Sequence, residues 1–86
     1  MSDLLKKVKD AGGITGDYQD AMLSIYIEDV KQYMLDGGVD ADTLKLDESA
    51  GAIVRGTLDL FWQGTLSDYF MQRVIQLKHK GVDKDV

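Results

Sequence analysis

The sequence has no cysteine, so disulfides, thiolate zinc sites and cysteine nucleophiles are excluded together. It has no proline either, which leaves glycine, present nine times, as the residue that punctuates helices. A single histidine, His79, lacks the second imidazole or thiolate that a metal site needs. No apolar run approaches membrane-spanning length, and the opening "MSDLLKKVKDAGG" is too charged for the apolar core of a signal peptide. These absences lead us to expect a chain that is soluble and intracellular where it is made. Positive charge is scarce as well. The net charge is -5, and residues 1–43 hold nine acids against four lysines, while residues 44–86 hold six acids and six basic residues. Phosphate-backbone binding draws on a basic patch, and the basic clusters here, Lys6, Lys7, Lys9 and Lys78, Lys80, stand near the termini. Nucleic acid is therefore disfavoured as a tightly held ligand.

What is present suits one small folded domain spanning 1–86, with hydrophobic residues at 44% and charged residues at 29%. No stretch alternates apolar and polar residues over strand length, and the glycines divide the chain into four helical segments. We expect an all-α fold, a small bundle of three longer helices plus a short N-terminal one. The short helix runs from a Ser2 cap to about Ala11, with Leu4, Leu5, Val8 and Ala11 on one face, and ends at Gly12 and Gly13. The second, "DYQDAMLSIYIEDVKQYMLDGG", is capped by Asp17 and closed by a left-handed Gly37. The segment "VDADTLKLDESAG" reads as a polar connection with room for one helical turn. A third helix follows from Asp47 to about Gln63, and Gly64 ends it. Ser67 then caps a fourth that runs to about His79, with Tyr69, Phe70, Val74 and Leu77 on its main face and Met71 and Ile75 on another side.

The apolar arcs are wider than one small core requires. On the second helix the apolar set Ile25, Tyr18, Met22, Tyr33, Tyr26, Val30, Leu23, Met34 and Ile27 spans roughly 200° of circumference. The third helix, with Ala50, Ile53, Val54, Leu58, Leu60, Phe61 and Trp62, covers a similar arc. Such surplus points to self-association, because exposed apolar patches of this extent invite it. Gly56 sits inside the third helix at a cost of roughly 1 kcal/mol relative to alanine, and it marks either the close approach of another backbone or nothing in particular.

No catalytic, cofactor or metal site emerges. Most of the fifteen carboxylates fall on polar faces or caps, with no pair placed for acid–base work. His79 in the last turn of the fourth helix suits the helix dipole. The "DGGVDADTLKLDE" segment fails as a calcium loop, since Lys45 stands where the turn glycine belongs, counting from Asp40, and Gly51 where the bidentate glutamate belongs. "AGGITG" lacks both the preceding strand and the lysine of a phosphate-binding loop. Two charges stand among apolar neighbours, Asp29 and Arg73, and each is either a rim residue reaching water or one half of a buried pair. The sharper expectation pairs Arg73 with Asp29 or Asp59, within the chain or across a subunit boundary.

The order of parts is informative. "LLKKVKDAGGI", "DYQDAMLSIYIEDVKQYML", "AGAIVRGTLDLFW" and the closing "GTLSDYFMQRVIQL" together resemble the small head–tail connector (adaptor, DNA-packaging-like) proteins of long-tailed bacteriophages and prophages. The resemblance spans nearly the whole chain and is most specific in "SDYFMQRVIQL". It implies an all-helical structural protein without catalytic activity or cofactor. Such proteins form a ring, typically of twelve subunits, beneath the portal protein, extend the DNA channel there, and dock a stopper or tail-completion protein. DNA is passing cargo, no membrane is involved, and the location is the virion neck, with assembly in the host cytoplasm. The variable stretches "GGVDADTLKLDE" and "KGVDKDV" are where portal or stopper contacts are expected. The competing reading from the residues is a small helical interaction or regulatory module outside any virion.

Overall fold

The computed structural model describes residues 3–83, and the side chains of residues 4–46, 49–78 within them. The expected Ser2 cap and the last three residues lie outside that range, as do the side chains of His79 and Lys80. The described chain is all-α, with no strand. Its helices are α1 (Asp3–Gly12), α2 (Asp20–Asp36), α3 (Ala41–Leu44), α4 (Asp47–Gln63) and α5 (Asp68–Asp83). The single helical turn allowed for in the connection is α3, and α4 has the expected bounds. The last helix continues past His79 to Asp83.

The core follows the helical period. Leu23, Ile27, Val30 and Met34 repeat at four- and three-residue spacing and are all buried, and so are Phe70, Val74 and Leu77 of α5, whereas Tyr69, expected on the same face, is exposed. α4 is the helix that the others share: α1, α2, α3 and α5 all pack on it. That accounts for its wide apolar arc, because Ala52, Ile53, Gly56, Thr57, Leu58 and Asp59 are buried from several sides. Two polar contacts position the helices around it. Lys9 Nζ stands 2.8 Å from Asp20 Oδ1 and ties α1 to the start of α2. Ser49 Oγ donates to the Thr43 carbonyl at 2.6 Å and joins α3 to the first turn of α4.

Two expected helix ends are corrected. Asp17 does not cap α2, which begins three residues later behind Gln19; the Asp17 backbone carbonyl instead accepts the Asp20 N–H in a turn. Tyr18 is consequently off the helix and almost wholly exposed, so it adds nothing to the α2 face. At the other end, Gly37 keeps a right-handed conformation, φ -79°, and Gly38 takes the left-handed one, φ 103°. The Gly38 N–H donates to Leu35 O at 3.1 Å and the Val39 N–H to Met34 O at 2.9 Å, the two bonds of a Schellman motif, which places the left-handed residue one step later. Val39 thereby enters the core beside Met34. Gly64 behaves as expected, with φ 77° and its N–H on Leu60 O.

Gly56 marks a close approach, of side chains and not of a second backbone. A Cβ there would stand 2.7 Å from Phe70 Cε1 and 3.0 Å from Val30 Cγ1. We predict that Gly56→Ala loses about 1–2 kcal/mol of stability, overpacking outweighing the helix-propensity gain. Gly51 in the same helix faces open space. Gly51→Ala is therefore expected to gain about 0.5–1 kcal/mol. Urea denaturation of the two variants reads these opposite signs.

Candidate interaction surface

Among the described residues no group of three or more His, Asp or Glu side chains is placed to hold a metal ion. No helix among them is long and apolar enough to cross a membrane. The features that stand out are a polar network around the buried Asp59 at the α4–α5 junction and the large apolar side chains exposed on α2, α4 and α5.

The network begins at Asp59, which is 2% exposed. Its Oδ1 lies 3.2 Å from Arg55 Nε, one helical turn back. Its Oδ2 accepts from the Ser67 backbone N–H at 3.1 Å and from the Ser67 hydroxyl at 2.5 Å. Ser67 Oγ in turn accepts the Phe70 N–H at 3.2 Å, the side-chain cap expected for the last helix. The Arg55 guanidinium carbon also stands 5.0 Å above the Tyr69 ring. A carboxylate on α4 thus fixes the first turn of α5 through a serine, and one arginine closes both sides of the joint.

The sequence singles out Asp59 as a carboxylate for Arg73. The structure gives it Arg55 and Ser67 as partners. Arg73 is half-buried and donates to Gln76 Oε1 at 2.9 Å. Asp29, the other expected partner, is exposed on the outer side of α2, which is the rim placement of the two weighed for it. Sequence reasoning misses the Arg55–Asp59 pair, even though its four-residue helical spacing is a readable signal.

The expected apolar residues divide by depth. Tyr26 and Met71 are half-buried, whereas Met22, Ile25, Tyr33, Trp62, Tyr69 and Ile75 are exposed. Tyr33 and Met71 meet across α2 and α5, the tyrosine hydroxyl 3.0 Å from the thioether sulfur and its ring 5.9 Å from Phe70 at 51°. Ile75 follows Met71 by one turn of α5, so Tyr33, Met71 and Ile75 extend the core outward to the surface at that seam. Trp62, at the far end of α4, is 60% exposed. Single exposed hydrophobics are ordinary, but several large ones on three helices of so small a domain make an interaction surface.

No protein-family model, no curated protein and no solved structure matches the chain.

Removal of the Asp59 carboxylate should be felt at the α5 end. Asp59→Ala is expected to cost about 2–3 kcal/mol, because its buried carboxylate holds charge-assisted bonds to Arg55 and Ser67. Ser67→Ala should cost about 1 kcal/mol, the value of a lost cap. A double-mutant cycle by chemical denaturation should show positive coupling between them. Additivity within experimental error would mean that the two side chains act independently.

Proposed function

We propose that the chain is a structural head–tail connector of a long-tailed phage or prophage, which forms a ring under the portal protein, extends the DNA channel and docks the next stopper or tail component. The observation that carries the reading is the display of Met22, Ile25, Trp62 and Ile75 on the outside of a helical domain whose core is already filled by other residues. Large apolar side chains that do not serve the chain's own core suit contacts between copies or with a larger partner. The likeness of "SDYFMQRVIQL" to the connector proteins supports the same reading and names the partners. Self-association in a closed ring uses two different patches on each copy, one meeting the other on the next subunit. The acidic balance of residues 1–43 suits a channel through which DNA passes without adhering.

Native mass spectrometry with negative-stain imaging, on the purified chain alone and with a phage portal protein, tests the proposal. Rings, or a complex on the portal, are the expected outcome. A strict monomer that never joins a portal overturns it and leaves the non-virion interaction module as the better reading. Trp62→Ala and Ile75→Ala should leave the folded monomer's stability within about 0.5 kcal/mol and weaken assembly. Loss of helicity in these variants would instead place the two side chains in the fold.

A further inference from the structure

The described surface holds a groove of about 450 Å³ that combines apolar side chains with lysines. Leu4, Leu44, Leu46 and Ala50 form its apolar lining, and Lys7, Lys31 and Lys45 stand around it. These lysines come from α1, α2 and the end of α3, so the fold collects them where the sequence keeps them apart. Among the described residues no acid lines the groove. Lys7 and Lys45 make no ion pair among the described residues, and the Lys31–Glu28 contact, 3.3 Å with the Glu28 side chain 72% exposed, is of the weak surface kind. A concentration of positive charge over an apolar lining, on a chain of net charge -5, calls for an occupant that is acidic and apolar together.

The molecule carries that complement on another face. Met22, Ile25 and Asp29 succeed one another at three- and four-residue spacing on the side of α2 turned away from the core, with Glu28 and Asp36 beside them. Met22 and Ile25 are exposed, and Asp29 makes no ion pair among the described residues. At 100° per residue, Lys31 and Asp29 are roughly 160° apart around the α2 axis. One copy therefore cannot close its own acidic stripe onto its own groove.

We propose that the Lys7–Lys31–Lys45 groove receives the outer face of α2, around Ile25 and Asp29, from a second copy of this chain. The contact is heterologous, one patch meeting a different patch, and this geometry propagates into a ring when the rotation closes. It deepens the connector reading, on which its biological meaning rests, by naming the two surfaces that join neighbours. Ile25 of one copy lies over the Leu44–Leu46–Ala50 lining, and Asp29 and Glu28 meet the lysines.

The cysteine-free sequence makes the test direct. Full-length Ile25→Cys and Ala50→Cys chains, distinguishable by mass, are mixed and oxidised, and the disulfide products are counted. The inference expects heterodimers, one chain of each variant, in about tenfold excess over either homodimer, with yield falling severalfold as salt rises from about 0.05 to 0.5 M. Lys7→Glu with Lys45→Glu on the Ala50→Cys chain should abolish the heterodimer, while circular dichroism shows the fold retained. Asp29→Lys on the Ile25→Cys chain should restore it. Predominant homodimers of the Ile25→Cys chain would mean that α2 pairs with itself, and would overturn the inference. So would an unchanged yield in the charge-reversed chain, or a groove that binds decanoate by NMR while no heterodimer forms. Rings or portal complexes that assemble without the heterodisulfide would overturn this contact and leave the connector reading standing. Absence of any assembly, with and without a portal, overturns both.

Discussion

The contact on which the rest of the structure depends is the Phe70 ring against Gly56. Phe70 is the largest of the fully buried side chains, and its ring lies where any side chain on residue 56 would have to stand. Val30 of α2 closes on the same point, so three helices meet over one missing Cβ. The ring can take that place only if α5 begins in the right position. Asp59 and Ser67 secure this by fixing the first turn of α5 to α4. The glycine that costs α4 some intrinsic helicity is thus the one that lets the last helix join the core.

Much of the fold was legible in the sequence because it follows local rules. The bounds of α4, the Gly64 stop and the Ser67 cap are set by residues within one turn of the feature they control. The apolar period of α5 marked Phe70, Val74 and Leu77 for the same reason, but Tyr69 of that face is exposed, and on α2 periodicity did not tell the buried residues from those left outside. What failed was also local, but finer than composition shows. Asp17 and Gly37 have the right chemistry for a cap and a stop, yet the turn before α2 and the Schellman pair after it place those roles elsewhere. Tyr18 followed Asp17 out of the helix.

The polar joints were less legible, for a different reason. Periodicity places Arg73 among apolar neighbours, but it does not say which carboxylate a loop will bring near. Asp59 met Ser67 because the short link after Gly64 folds back, and Arg55 was available one turn away. The lysine groove lies further still from any sequence signal, since Lys7, Lys31 and Lys45 become neighbours only when α1, α2 and α3 are packed on α4. The surplus of apolar residues, by contrast, could be anticipated in kind: a helix at the centre absorbs a wide arc, as α4 does, whereas a peripheral helix such as α2 displays what it cannot bury.

The joint at Gly64 also leaves the attachment of the last helix to a small set of residues. α1, α2 and α4 close on one another through α4, while α5 adds to them through Phe70, Val74, Leu77 and the Asp59–Ser67 cap. Because the same Phe70 ring also meets Val30 of α2 at Gly56, loss of that small set would empty the point where three helices converge, so the last helix is a keystone of the core and not an appendage to it.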